Sequence, residues 1–377
     1  MRWESMRVIP ADVDDAPSAA LDSAAADQRG DNTLFARPAV VRTFDSPHFA
    51  GMTFFEVQAK SILNRVPAAS HMPFEWTINP YRGCSHACRY CFARNTHTYL
   101  DLGAGLDFDT KVVVKINAHE LLRKELARRS WHGQPVAMGT NVDCYQRAEG
   151  RYRLMPGIIG ALTERANPFS ILTKGSLILR DLELLQRAAQ VTDVSTAVSV
   201  GFTDLGHWRD VEPGTPAPAK RLDVCKTLNG SGVRCGVLMA PILPGLTDSP
   251  DQLARTVDAI AQSGGQFVTP IVLHLRPGAR EWFMQWLADT HPELVARYEK
   301  LYAHGSYAPK AYQEEICGRV RELARAAGIG RPLRTDRTTS AALRQSEETS
   351  TPAGAIGGRP APTQLSLLPE TPAELAR

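Results

Sequence analysis

No segment of this chain reaches the unbroken apolar length that a membrane-spanning helix requires. Its first residues, MRWESMRVIPADVDD, carry charges where a secretion leader needs an apolar stretch. Both absences point to a cytoplasmic protein with no membrane partner. Neither sign of charge is in surplus: 43 basic residues stand against 40 acidic ones for a net charge of +3. Any nucleic-acid contact must therefore come from a local patch. Cysteine is sparse as well. Seven in 377 residues, unevenly spaced and without a leader, exclude a disulfide framework. No internal repeat is visible. What the chain does have is 43% hydrophobic content over 377 residues, enough for one large barrel-type domain or two ordinary ones.

Residues 1–45 are rich in Ala, Asp, Ser and Gly with few large apolar side chains, and are expected to be mostly disordered; the tail, 331–377, reads alike. Between them short β-rich runs alternate with helical patterns, which implies a parallel sheet covered by helices. The candidate strands are 76–79, 111–115, 135–139, 169–173, 194–200, 234–240 and 267–275. Segments 118–129, 182–190, 220–228 and 252–261 place apolar residues at helical spacing. The alternation fits a single α/β unit, a partial (β/α)6 barrel over 46–280, better than two domains. A helical extension over 281–330 is built from candidate helices 281–288, 293–302 and 309–327. In such a barrel the reacting groups sit at the C-terminal ends of the strands.

The chemistry is concentrated in NPYRGCSHACRYCFAR, where Cys84, Cys88 and Cys91 follow the pattern C-x3-C-x2-C directly after a candidate strand. Three thiolates on one loop can hold three corners of a [4Fe–4S] cube and leave the fourth iron without a protein ligand. An open iron can chelate the amino and carboxylate groups of S-adenosylmethionine (SAM), whose sulfonium then accepts an electron. Tyr90, the aromatic residue before the third cysteine, belongs to the same signature. Two other readings compete: a structural zinc with His86 as fourth ligand, and an electron-transfer cluster completed by a distant cysteine. No second local Cys/His pair supports zinc. Arg82, Arg89 and Arg94 either offset negative charge there or form a solvated basic face.

The chain resembles the radical SAM superfamily, and within it the spore photoproduct lyase-like branch. The resemblance runs from about Phe54 to Leu275, through FFEVQAKSILNRVP, the cysteine segment, GTNVDCYQRAEGRYRLMPGII, SILTKGSLILRDLELL and VEPGTPAPAKRLD. It implies roles residue by residue. Thr140 and Asn141 would hold the amino-acid end of SAM. Lys174 would pair with its carboxylate, and Ser199 would meet that carboxylate or the ribose. The backbone at Tyr90 would face the adenine. Glu212 and Arg221 would form an ion pair near the site, or a purely structural bridge. Relatives usually read T-D-P-Y-Q where this chain has Val142-Asp143-Cys144-Tyr145-Gln146. That puts a thiol in place of proline, and Cys144 is either a hydrogen-atom donor to a product radical or a buried inert thiol. Asp143, Tyr145 and Glu149 are candidate substrate-pocket groups. Cys225 and Cys235 lie within the core rather than after it and are read as structural thiols, not as an auxiliary cluster.

In the tail, Gln364, Leu365, Leu367 and Leu368 form QLSLL, which resembles the peptide by which bacterial replication and repair proteins dock on the sliding clamp. A chance match in a low-complexity segment is the plain alternative. The leading reading is a radical SAM enzyme that abstracts a hydrogen atom from damaged or modified DNA and takes its electron from a flavodoxin or ferredoxin. Arg147, Arg151, Tyr152 and Arg153 form either a basic, aromatic patch suited to DNA or only a solvated helix start. The competing readings are a radical modification of a peptide, tRNA or small metabolite, and a non-catalytic Fe–S scaffold on the clamp.

Overall fold

The computed structural model describes residues 9–10, 39–67 and 72–330. The QLSLL motif and most of the 1–45 segment lie outside these residues. The described strands, in chain order, are β1 (Ile9–Pro10), β2 (Val40–Arg42), β3 (Thr53–Val57), β4 (Leu63–Arg65), β5 (Trp76–Ile78), β6 (Tyr81–Arg82), β7 (Lys111–Lys115), β8 (Val136–Met138), β9 (Phe169–Thr173), β10 (Val194–Ser199), β11 (Cys235–Ile242) and β12 (Val268–Val272).

The larger sheet runs β12-β11-β10-β9-β8-β5-β4. From β5 to β12 every neighbouring pair is parallel and follows chain order, the arrangement of a (β/α)6 barrel; β4 adds an antiparallel edge. Such strands are buried on both faces and read as near-continuous apolar runs. Phe169, Ile171, Val198, Val237 and Met239 accordingly sit in the main core.

The strand ladder stays open, yet the sheet curls. The segment after β5 and the helix Ala279–Thr290 after β12 touch: the Arg94 guanidinium lies 4.9 Å from the Trp282 ring centre. Side chains rather than strand hydrogen bonds span the gap between the first and last parallel strands.

The helices outside the sheet follow ordinary local rules. Pro250–Gln262 starts at Ser249, whose hydroxyl accepts the Gln252 N–H at 3.3 Å, with proline in the first turn. Its buried stripe is Leu253, Val257 and Ile260. The last helix, Lys310–Ala326, packs on β12 and on that helix.

Two expectations needed revision. The strand at 111–115 is present, but as β7 it belongs to a second sheet of order β1-β2-β3-β7-β6. There Phe54, Val112 and Val114 face the main core, while Phe55, Val57 and Val113 face a satellite cluster with Leu100 and Leu102. Residues 39–45, read as part of a disordered segment, include β2, which pairs antiparallel with β3. The helix Leu154–Glu164 was not anticipated because Pro156, Gly157 and Gly160 break its pattern. Pro156 falls in the first turn, where no N–H is needed, and a Cβ on Gly157 would lie 2.8 Å from the His119 side chain.

Candidate functional site

The cysteine loop follows β5 of the larger sheet and β6 of the second sheet and ends in the 3-10 segment Phe92–Leu100. Cys84 and Cys88 are buried and Cys91 is partly so. Burial pushes all three thiols up, Cys88 to about 12, with Cys91 and Cys88 raising Cys84 further and Cys91 raising Cys88. Without metal they hold their protons, so ligation must displace them.

The loop is fastened from three sides. Arg94, fully buried, donates from Nη2 to the Cys88 carbonyl at 2.9 Å and pairs with Asp109 at 2.8 Å. Gln146 clips its base: its Nε2 donates to the Gly83 carbonyl at 2.8 Å and its Oε1 accepts the Ser85 N–H at 3.0 Å. Gly214 packs on it from the other side, where a Cβ would sit 2.1 Å from the Ser85 carbonyl oxygen. The sequence reading missed Gln146 and Gly214 as loop supports, although both lie in segments quoted for the resemblance. Of the three loop arginines, Arg94 is thus an internal peg rather than a solvated charge.

Four of the residues assigned to the cofactor form one buried chain. Tyr90 donates its hydroxyl to Glu212 Oε1. Arg221 donates from Nη2 to Glu212 Oε2 at 2.5 Å and from Nη1 to the Ser199 carbonyl at 2.7 Å. Ser199 in turn donates its hydroxyl to the Ala240 carbonyl at 3.0 Å. The chain links the cysteine loop to the C-terminal ends of β10 and β11. Burial favours protonated Glu212, but Arg221 and Lys174 outweigh it and hold the carboxyl below the usual range.

Lys174 stands at the end of β9. Its ammonium lies 5.7 Å from the centre of the Tyr90 ring and favours the ionised forms of Cys88, Cys91 and Glu212. No carboxylate among the described residues forms a salt bridge with it. An uncommitted ammonium beside three clustered thiols fits an anionic ligand held next to the cluster. Thr140 and Asn141 follow β8 on a turn that requires Gly139: its φ is +75° and a Cβ would lie 1.8 Å from the Leu172 carbonyl oxygen. Both side chains are partly exposed at that strand end. The donor set fits a [4Fe–4S] cluster with SAM beside it.

The trio expected in the substrate pocket is placed differently. Asp143 Oδ1 accepts the Tyr145 N–H at 2.8 Å and the Thr173 hydroxyl at 2.6 Å, and Oδ2 accepts the Lys174 N–H at 2.6 Å. His86 Nδ1 lies 3.3 Å from the same Oδ2. Asp143 is thus a staple that sets the backbone of Lys174 and steadies the cysteine loop. Tyr145 is buried and donates its hydroxyl to Asp181 at 3.0 Å. Cys144 has no exposed surface, which leaves it no opening toward a product radical. Glu149 is buried too, accepting from Tyr81 at 2.6 Å and Arg180 at 2.5 Å. Asp143, Tyr145 and Glu149 sit as internal scaffolding with their polar groups already partnered, and Cys144 is enclosed beside them. Cys225 and Cys235 are likewise fully buried. His86 is engaged with Asp143, and no three or more His, Cys, Asp or Glu among the described residues gather to hold a single ion. Thiols spread over the corners of a cube are not expected to converge in that way.

Burial alone would raise Asp143, but His86, the Lys174 N–H and the Thr173 hydroxyl bring its carboxyl down to about 2. A depressed carboxyl contributes stability that is complete above its unfolded value, about pH 4, and is lost as pH falls through the folded value. The contribution is about 2 kcal/mol. Asp143→Asn is therefore expected to lose about that much stability at neutral pH in chemical denaturation. The gap between the two proteins should close as pH falls from about 4 toward 2. A gap that persists unchanged in acid contradicts this account.

The family model of the radical SAM superfamily matches residues 78–257. An uncharacterized protein of Mycobacterium tuberculosis (strain H37Rv) is 53% identical over 310 residues, 81% of this chain and 91% of that one. Another, from Methanocaldococcus jannaschii, is 29% identical over 195 residues, 51% of this chain and 69% of that one. Spore photoproduct lyase complexed with dinucleoside spore photoproduct superposes with a TM-score of 0.56 at 15% identity, covering 72% of this chain and 79% of its own. A variant of that enzyme with bound AdoMet and dinucleoside spore photoproduct gives a TM-score of 0.52 at 16% identity, over 67% and 74% of the two chains. These structures share the fold. The family match takes in the cysteine loop and the strand ends that carry Lys174 and Ser199, and the chain belongs to the radical SAM superfamily, an enzyme that works with a [4Fe–4S] cluster and SAM.

Proposed function

We propose that this enzyme abstracts a hydrogen atom from a damaged or modified base in DNA. The observation that supports this most is a basic patch beside the cluster loop. Arg147, Arg151 and Arg153 are exposed on and just after the short helix Arg147–Tyr152. That helix begins at Gln146, the residue that clips the cysteine loop, and the Arg147 N–H lies 3.3 Å from Ser85 Oγ. Arg151 also stacks on Phe44 at 4.9 Å, so its guanidinium is held in place. Such a patch can track a phosphate backbone past the site. The lesion bound to the fold relative, a dinucleoside photoproduct, points to the same substrate class.

When bound, the cluster supplies the electron that splits SAM into methionine and the 5′-deoxyadenosyl radical. The chain's own residues do the positioning. Lys174 takes the SAM carboxylate, Thr140 and Asn141 hold its amino-acid end, Ser199 offers polar atoms to the same ligand, and the Tyr90 backbone faces the adenine. The Glu212–Arg221 pair fixes Tyr90 from behind. A flavodoxin or ferredoxin delivers the electron. The tail docks on the sliding clamp through Gln364, Leu365, Leu367 and Leu368, beyond a core at 46–280 and a helical extension at 281–330.

The test is anaerobic turnover with dithionite and SAM, comparing undamaged and ultraviolet-irradiated DNA. Repair or loss of a defined lesion together with 5′-deoxyadenosine supports the reading. Deoxyadenosine whose rate and coupling ignore every DNA offered rules DNA out. A charge-assisted contact is worth about 1.5–3 kcal/mol, so Lys174→Met is expected to raise the apparent KM for SAM about 10- to 100-fold. Cluster absorbance serves as the control; an unchanged KM would remove Lys174 from the carboxylate.

A further inference from the structure

The surface beside the third cysteine carries a feature that the cluster and SAM do not use. Phe92 directly follows Cys91 and is 42% exposed. The Arg276 guanidinium lies 5.5 Å from the centre of its ring and donates from Nη2 to the Tyr307 hydroxyl at 3.3 Å. Tyr307, 51% exposed, in turn packs against His274 with ring centres 4.5 Å apart. Among the described residues only three Phe, Tyr or Trp side chains are exposed, and two of them flank this one arginine.

The strip is rigidly mounted. His274 and Tyr307 pair as an antiparallel bridge, and the Leu275 N–H donates to the Ser306 carbonyl at 2.8 Å. Its location follows from the curl of the sheet: Phe92 belongs to the segment after β5, and His274 and Arg276 to the segment after β12. The strip therefore lies on the C-terminal face, where the two ends of the parallel sheet approach each other. No carboxylate among the described residues pairs with Arg276. Burial, with Arg276 nearby, lowers His274 to about 4, so at neutral pH it presents an uncharged ring.

Ring surface left in water gains when a partner covers it. Faces that alternate with an uncommitted guanidinium match one kind of partner well: bases stack on the rings while a phosphate meets the arginine. A partner with a purely apolar face would leave that guanidinium buried and unpaired.

We propose that Phe92, Arg276 and Tyr307 form a stacking platform for unpaired nucleotides of single-stranded DNA, next to the cluster. The inference rests on the DNA reading above and deepens it: the substrate is held by its unstacked bases at this edge of the barrel mouth, with no demand on base identity. Phe92 and Tyr307 supply faces that every base can use, and Arg276 supplies the charge.

The test is fluorescence anisotropy of the cluster-loaded enzyme with a labelled oligothymidylate of about a dozen nucleotides, alongside an abasic oligomer of equal length. Phe92→Ala and Tyr307→Ala are each expected to weaken oligothymidylate binding about tenfold and to change abasic binding little. Phe92→Trp should keep the affinity, and Phe92→Leu, which retains bulk without a ring, should lose it. Arg276→Ala should reduce the slope of log affinity against log salt by about one. Cluster absorbance establishes that each variant is intact. Wild-type binding that the ring substitutions leave untouched, or equal affinity for the abasic oligomer, overturns the platform alone. No binding of either oligomer by the wild type overturns the platform and the DNA reading together.

Discussion

Cys88→Ala is expected to bring 5′-deoxyadenosine formation to background and to remove the visible absorbance of the reconstituted cluster. The physical reason is the lack of a substitute ligand. Cys88 is buried, its thiol is pushed up to about 12, and only metal binding displaces that proton at working pH. The neighbouring candidates are already committed. His86 is turned to Asp143 at 3.3 Å. Cys144 has no exposed surface, and burial, with Asp143, Glu149 and Cys84 nearby, pushes its thiol well up. Two remaining thiolates cannot hold three corners of a cube. Cys317→Ala, which removes a thiol remote from the loop, should retain both cluster and product. Deoxyadenosine from Cys88→Ala above the level of the protein-free control would show that the cluster is bound elsewhere.

The sequence disclosed most of what depends on local pattern. The strand at 169–173 is identical in reading and structure, and the runs at 76–79, 135–139, 194–200, 234–240 and 267–275 differ from β5, β8, β10, β11 and β12 only at their ends. Long apolar runs flanked by polar strand ends carry that information in themselves. The second sheet was hidden because β1, β2 and β6 span only two or three residues, too short to show an alternation. Its one legible strand, 111–115, was assigned to the barrel because apolar content says nothing of which sheet a strand joins.

Within the site, the cysteine loop was readable because three ligands fall in eight consecutive residues. The burial of Cys144, Tyr145 and Glu149, and the inward turn of Asp143, were not. A strand end on the reacting face can send its side chains outward to a substrate or inward to neighbouring loops, and composition is the same in both cases. What decided it was the density of partners: His86, Thr173 and Lys174 around Asp143, and Tyr81 and Arg180 around Glu149. None of these lies close in sequence to the residue it binds. Phe92 and Tyr307 were invisible for the same reason, since their proximity through Arg276 depends on the two ends of the sheet approaching each other.

Removing one member of the Glu212–Arg221 pair is expected to cost about 3–5 kcal/mol, because it leaves a buried charge without its partner. Both side chains are about 1% exposed. Arg221 Nε already lacks a hydrogen-bond acceptor among the described residues, so the guanidinium depends on Glu212 and the Ser199 carbonyl. In Glu212→Ala that charge is stranded, and the Tyr90 hydroxyl also loses its acceptor. The loop should then loosen between Cys88 and Cys91, and cluster occupancy should fall along with denaturation midpoint. Glu212→Gln keeps the shape and one acceptor oxygen, so it should fall between the wild type and Glu212→Ala. Replacing both partners, as in Glu212→Gln with Arg221→Met, should cost less than the sum of the two single changes by at least about 1 kcal/mol, since no charge is left uncompensated. A merely additive double variant would mean that the pair is screened by water. If cluster occupancy then still fell while the midpoint held, the carboxylate would be acting on the cofactor directly and not through the packing of Tyr90.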